Sequence, residues 1–382
     1  MKILHLGDLH LGKRVNEISM IEDQKFILDQ IVTLVKEEKI DVILLCGDIY
    51  DKAIPTIEAI HLLDEFLEEL SDLKVKVLMI SGNHDSSERL SFGRNLFKRS
   101  NLYIASQFNQ EIEKITIKED GYNINFYMLP FVKPAYINHV LKIQTETYEE
   151  CFKHLMEQVK IKEDETNILL AHQFVTVGKN SPELSDSETS SLGGIDNIDY
   201  RLFDAFDYVA LGHIHKPQML VENRMAYAGS LEPTDVGDTG AHGYIEGKIT
   251  GNGCQIRFVP HALREYRHCE VQVDKSVTGH VLRQKIADMI EEQGKQNMYK
   301  ITLTGYRDPD IWYELDHMDP YGNVVEITDH TKPAYDFEKL KNENKGNILG
   351  QYIESLSGYP ADSLEYQALC EGVQALMETR RG

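Results

Sequence analysis

Cysteine is sparse and unpatterned in this chain. Its five residues, Cys46, Cys151, Cys254, Cys269 and Cys370, never stand in a CxxC pair, which argues against a zinc finger and against a disulfide framework and suits a reducing compartment. No apolar run approaches the length needed to span a bilayer. The opening residues also lack the basic-then-apolar pattern of a signal peptide, because Asp8 and His10 arrive almost at once. The expected location is the cytoplasm, with no membrane partner. Low-complexity tracts and internal repeats are missing too. Hydrophobic residues make up 42% of the chain and charged residues 27%, as in an ordinary globular protein, so disorder is not the default. The main shortage is of positive charge: 40 Lys and Arg stand against 62 Asp and Glu, a formal net charge of −22. A protein whose whole surface bound nucleic acid would be basic. A polyanionic substrate would therefore have to be held locally, by metal ions, a basic patch or a second protein.

At 382 residues the chain is long for one compact domain. Its first half alternates apolar β-branched runs with amphipathic ones: KILHLG, residues 18–38, DVILLCGD, residues 56–70 and KVKVLMISG. Met20, Gln24, Ile27, Ile31 and Leu34/Val35 recur at helical spacing, with Gln24 the one polar exception. Near-continuous apolar strands alternating with helices predict a sheet buried on both faces, hence an α/β layered fold. Further strands are expected at 123–129, 167–171, 207–212, 225–228, 244–249 and 254–259, with a long Ser-, Asp- and Glu-rich loop at 179–198. From about residue 265 the pattern becomes strand (269–273), helix (277–293), strand (299–304), helix, strand (324–328), a smaller α+β domain. Two amphipathic stretches follow Pro333: Ile348, Leu349, Tyr352, Ile353 and Leu356, then Tyr366, Leu369, Val373 and Leu376. These stripes fit either a groove on a partner or the protein's own core.

GDLH (7–10), GDIYD (47–51), GNHD (82–85), AHQF (171–174) and GHIH (212–215) all fall at or just past the ends of predicted strands. Ligands of an open α/β sheet bind at the carboxyl ends of its strands, so these segments are expected to converge on one crevice. Singly, each has a bland reading: a DxH at a strand end is a turn with a hydrogen-bonded histidine, and GNHD is a tight turn. Together they offer histidine nitrogen, carboxylate and amide oxygen in a number too large for one first-row divalent ion. Two ions about 4 Å apart, bridged by one carboxylate, would clamp a phosphate and make a bridging hydroxide near neutral pH.

The set Asp8-x-His10, Gly47-Asp48-x-x-Asp51, Gly82-Asn83-His84-Asp85, a lone His172 after a strand, and Gly212-His213-x-His215 resembles the calcineurin-like metallophosphoesterases. Within that family, LHLGDLHLGK, GNHDSSERL and FDYVALGHIHKPQ are similar to the SbcD-like nuclease subunits of SbcCD complexes, over roughly residues 1–230. The resemblance implies a layered sandwich of two β-sheets flanked by helices at 1–262, a small α+β capping domain at 263–335 that helps hold DNA, and C-terminal helices at 336–382 that bind an SbcC-like SMC-type ATPase. It implies that Asp8, His10 and His215 hold one ion, that Asn83, His172 and His213 hold the other, and that Asp48 bridges them. His84, positioned by Asp85, would face the scissile phosphate. Asp51 would serve the substrate or cap a helix. Manganese is the implied ion, and the imidazole-rich set fits it better than magnesium. The implied activity is that of a manganese-dependent DNA exonuclease and endonuclease processing double-strand ends and hairpins in repair and recombination, as a homodimer within an ATP-driven complex. Lys13, Arg14, Arg89, Arg94, Lys98 and Arg99 are candidates for contacts with the DNA backbone, or simply solvated charges. A stand-alone phosphodiesterase or phosphatase acting on nucleotides or phosphoproteins is the alternative enzyme. A structural anchor of an SMC-like ATPase is the alternative of another class. The segment YAGSLEPTDVGDTGAHGY (227–244) departs from the bacterial pattern and looks more like archaeal relatives, without touching a proposed ligand.

Overall fold

The structure is a computed structural model that describes all residues except 17, 120, 179, 185–196, 236, 237, 239, 252, 262, 263, 357, 361, 362 and 382. Most of the expected 179–198 loop therefore lies outside the described residues. The chain divides into two compact units, Met1–Arg264 and Glu265–Gly382.

In chain order the first unit contains β1 (Lys2–Leu6), α1 (Ile21–Glu38), β2 (Val42–Cys46), α2 (Ile57–Asp72), β3 (Lys76–Ile80), β4 (Leu102–Ala105), β5 (Glu113–Glu119) and β6 (Tyr122–Leu129). Then come α3 (Pro134–Leu141), α4 (Tyr148–Glu157), β7 (Thr166–His172), β8 (Tyr208–Gly212), β9 (Gln218–Val221), β10 (Met225–Tyr227), β11 (Gly243–Thr250) and β12 (Gly253–Pro260). One six-stranded sheet runs β12-β11-β1-β2-β3-β4 and the other runs β9-β10-β8-β7-β6-β5. Within them β1 to β4 are mutually parallel, as are β6, β7, β8 and β10, while β11 pairs antiparallel with β1 and with β12, β9 with β10, and β5 with β6.

Alternation along the strands decides the layering. Ile3, Val42, Leu44, Leu78 and Ile80 of one sheet meet Ile124, Phe126, Ile168, Leu170 and Ala210 of the other in a central core. The opposite face of the first sheet, through Leu4, Leu6, Ile43, Leu45 and Val77, packs on Ile27, Ile31 and Val35 of α1 and Leu62, Leu63 and Phe66 of α2. Leu129, Leu169, Val209 and Leu211 of the second sheet pack likewise on Ile137 of α3 and Phe152 and Leu155 of α4. Two β-sheets flanked by helices are the layered sandwich that the sequence predicts. The Thr56 side chain caps α2 by accepting from the Ala59 amide at 3.3 Å, so Asp51 is not that helix's cap.

In the second unit, β13 (Tyr266–Val273), α5 (Gly279–Gln293), β14 (Met298–Arg307) and β15 (Val324–Asp329) form a parallel sheet with one covering helix. Val271, Ile301 and Leu303 bury against Leu282, Ile286 and Ile290. The helix expected between β14 and β15 is absent. That stretch carries Pro309 and Pro320, and the Asp319 carboxylate accepts from the amides of Tyr321, Gly322 and Val324 at 3.0, 2.8 and 3.1 Å. Only a three-residue 3-10 turn, Leu315–His317, remains. Beyond it lie α6 (Phe337–Glu343), α7 (Ile348–Leu356) and α8 (Leu364–Arg381). The two C-terminal stripes meet one another there: Leu349 and Ile353 bury against Leu369 and Val373. Among the described residues, no helix is long and apolar enough to cross a membrane.

Candidate metal centre

Five strand ends build the site. Asp8 and His10 follow β1, Asp48 follows β2, Asn83 to Asp85 follow β3, His172 closes β7, and His213 and His215 follow β8. These strands run parallel within their sheets, and β2 lies against β7 and β8, so the carboxyl ends open on one side. Each chain must turn sharply there. Asp8, His10, Asp48 and His213 all take positive φ, at 50°, 43°, 47° and 101°, a region non-glycine residues rarely occupy. Gly82 has no Cβ because one would collide with Asp48, and one on Gly47 would strike the His172 ring.

All seven expected ligands come together. Asp8, His10 and His215 present ligand atoms within 4.8 Å of one another, as do Asp8, Asp48 and His172, and also His10, Asp48 and His84. The Asn83 Oδ1 lies 3.0 Å from both His172 Nε2 and His213 Nδ1. Asp48 Oδ2 stands 3.4 Å from His172 Nε2 and 3.7 Å from His10 Nε2, between the two groups. Asp8 accepts from the His213 amide at 2.9 Å, tying the first strand end to the last.

The protons leave room for cations. His172 Nδ1 lies 2.8 Å from the Cys46 carbonyl, which can only accept, so Nδ1 carries a hydrogen and Nε2 is the nitrogen turned to Asp48 and Asn83. His10 and His215 approach Nε2 to Nε2 at 3.0 Å. Burial pushes His213 down to about 3 and His215 down to about 4, and holds His10 well below its ordinary value despite the pull of Asp48, so all three are neutral at pH 7 and have a lone pair to offer a cation. Burial opposes ionisation of Asp48, but the charge and hydrogen bond of His172 outweigh it and keep the carboxylate ionised. Burial lowers His172 as well, yet Asp48 and Asp8 together raise it to about 9. Buried nitrogen lone pairs and carboxylates converging on the same space fit two borderline divalent ions.

His84 is exposed beside the cluster, its ring edge-on to His10 with centroids 4.8 Å apart, and its amide donates to Asp48 Oδ1 at 2.8 Å. Its ring is not oriented as expected. Nδ1 lies 2.8 Å from the Asp51 carbonyl, whereas Asp85 accepts from the amides of Ile49, Tyr50 and Gly82 at 3.1, 2.9 and 2.8 Å. Asp85 therefore clamps the GNHD turn to the 48–50 loop. Burial and the charge of Asp48 raise its carboxyl to about 6 against those three amides. The Asp51 carboxylate reaches His10 Nδ1 at 3.7 Å and Lys13 Nζ at 3.3 Å.

The other basic candidates are more dispersed. Arg14 is exposed; Arg89, Arg94, Lys98 and Arg99 follow GNHD on short helical turns, with Arg89 and Arg99 exposed and Arg94 engaged by Glu113 at 2.7 Å. A residue no motif flagged is Gln24. It accepts from the Gly12 amide and donates to the His10 carbonyl, both at 2.9 Å, pinning the His10 loop to α1. Its signal was its place as the one polar residue in an apolar stripe.

A solved dimetal phosphatase from Danio rerio is similar to 69% of this chain over 99% of its own length, at 14% identity and a TM-score of 0.39. The sequence profile of the calcineurin-like phosphoesterases matches residues 1–217, the stretch that carries every residue of the cluster, and the chain belongs to that family of phosphate-ester hydrolases working with paired divalent metals.

Proposed function

We propose that this phosphoesterase is a manganese-dependent DNA nuclease, the SbcD-like subunit of a complex with an SbcC-like ATPase. The observation that carries the reading is the form of the site. His84 and Asn83 are exposed at the edge of the cluster, while Asp8, His10, Asp48, His172 and His215 are buried beneath them. Substrate thus meets the cluster from outside, which suits a phosphodiester carried on a long polymer better than a small ester swallowed whole. The SbcD-like wording of the GDLH, GNHD and GHIH segments supports the same choice.

Asp8, His10, Asp48 and His215 would hold one ion, and Asp48, Asn83, His172 and His213 the other. Bound there, such a pair activates a water as nucleophile and neutralises phosphate charge. The remaining work falls to the chain. His84 faces the scissile phosphate and gives a proton to the leaving oxygen. The Asp51 carbonyl orients its ring by accepting from Nδ1, which leaves Nε2 for the substrate. Lys13, and the basic turns after GNHD, meet phosphates without reading sequence. At a net charge of −22 the isolated chain binds DNA weakly and relies on its partner for basic surface. The C-terminal stripes already pack on one another, so a partner docks on what they leave exposed, such as Ile348 and Leu364.

The deciding experiment compares manganese-dependent cleavage of hairpin DNA, blunt-ended DNA and a small phosphodiester by the purified chain, with and without the ATPase. DNA cleavage boosted by the ATPase and ATP is the expected result. Turnover of the small ester alone, with DNA untouched even beside the ATPase, would overturn the reading in favour of a stand-alone phosphodiesterase.

A further inference from the structure

The segment that departs most from the bacterial pattern, 227–244, stands directly behind His215. The Thr234 Oγ1 lies 2.7 Å from His215 Nδ1, on the side of the ring away from the cluster. Asp238 Oδ2 accepts from the Thr234 amide at 3.2 Å and faces the Thr234 hydroxyl at 3.4 Å. Its other oxygen is 3.5 Å from His242 Nε2, and His242 Nδ1 is in turn 3.1 Å from Ser230 Oγ. Thr234, Asp238, His242 and Ser230 are all buried, at 4%, 5%, 1% and 1% exposure. His242 Nε2 has no hydrogen-bond partner among the described residues and faces Asp238 only as a charge, so the hydrogen bonding behind His215 is carried by Thr234 and Asp238.

The direction of the hydrogen bonds follows from what each group can do. A hydroxyl has one proton and an ionised carboxylate only accepts. Turned toward Asp238, the Thr234 hydroxyl offers His215 a lone pair, which demands a hydrogen on Nδ1. The other ring nitrogen, Nε2, then keeps its lone pair, and it is Nε2 that meets His10 across 3.0 Å. Metal-bound imidazoles are commonly fixed in this way through their second nitrogen.

We infer that Thr234, backed by Asp238, is a positioning residue that locks His215 with its proton on Nδ1 and its Nε2 lone pair turned to the ion it shares with Asp8 and His10. The inference rests on the two-ion reading of the site and not on DNA as the substrate. It gives Thr234 and Asp238 a task at the metal centre from behind His215. The competing explanation is that Thr234 and Asp238 merely close a turn. Such a turn would tolerate loss of the hydroxyl once the backbone amide still had Asp238 to donate to.

The test uses the full chain, stripped of metal and titrated with MnCl2 by calorimetry. It is paired with long-range proton–nitrogen spectra of the metal-free chain labelled with 15N-histidine, which read the tautomer of each ring. Wild type takes up two ions, with His215 protonated on Nδ1. Thr234→Val, nearly the same shape, loses about 10- to 100-fold in affinity for one of the two ions and no longer holds His215 in a single tautomer. Thr234→Ser restores both. Should the valine variant fail to fold, Thr234→Ala, which also removes the hydroxyl, reads the same bond to His215 and weakens one ion several-fold. If Thr234→Val, or in its place Thr234→Ala, binds both ions as wild type does with the His215 tautomer unchanged, the relay is overturned and the two-ion reading stands. A wild-type chain that takes up no ion overturns the two-ion reading itself, and the relay with it.

Discussion

His84 and Asp85 are neighbours in the chain with opposite demands on it. His84 is exposed and supports little packing, so His84→Ala leaves urea stability within about 0.5 kcal/mol and leaves manganese uptake intact, while phosphoester turnover falls by about 10²- to 10⁴-fold. Asp85 instead satisfies three backbone amides. Asp85→Ala strands them at a cost of about 1–3 kcal/mol each, visible as a fall in the urea midpoint before any assay is run. A pair acting only as a proton relay would show no such split, with both variants equally stable. Glu232 sets a third expectation at this scale. Burial, with the charge of Asp23 added and that of Arg264 opposing, raises its carboxyl to about 8, and one of its oxygens has no hydrogen-bond partner among the described residues. A carboxyl whose folded pKa lies above its unfolded value contributes stability in full below about pH 4.5 and loses it as pH rises through about 8. Stability measured between pH 5 and 8.5 should therefore fall for wild type and stay flatter for Glu232→Gln.

The elements that were hardest to read in the sequence are those whose side chains do not declare a buried face. β5 reads EKITIKE and sits at a sheet edge with most positions open to solvent, so its alternation carries little apolar signal. α3 and α4 are short, eight and ten residues, near the length at which periodicity stops being informative. The strands β1, β2 and β3 were legible because both their faces are buried and the runs are continuously apolar. α1 shows both sides of the matter. Its apolar stripe announced a helix, and the exception in that stripe, Gln24, turns out to hold the His10 loop. Gln24→Leu keeps the helix amphipathic yet leaves the Gly12 amide and the His10 carbonyl without that partner. We expect a loss of about 1–3 kcal/mol together with roughly tenfold weaker manganese binding by titration, whereas Gln24→Glu, which can still accept from Gly12, loses less.

For the molecule as a whole, the metal pair and the fold stabilise each other, because the strained backbone at Asp8, His10, Asp48 and His213 costs of order 1–3 kcal/mol at each residue. Any ion that binds only the folded chain raises its stability by mass action, about 2.7 kcal/mol per site at a hundredfold excess over Kd. Chelation should therefore lower the melting temperature by several degrees, and manganese should restore it. The order of motifs along the chain, their residue types and the apolar periods between them were enough to name the layered fold, the ligand candidates and the family, since strand ends, glycines and Asp/His pairs are local in sequence. What the sequence left open was which group each side chain faces. That Asp85 serves the amides of Ile49 and Tyr50, that the Asp51 carbonyl meets His84, and that Thr234 stands behind His215 are contacts between residues 19 to 36 positions apart. Hydrogen bonds of this kind are chosen by which strand ends come to lie side by side in the folded sheets, and no local pattern records them.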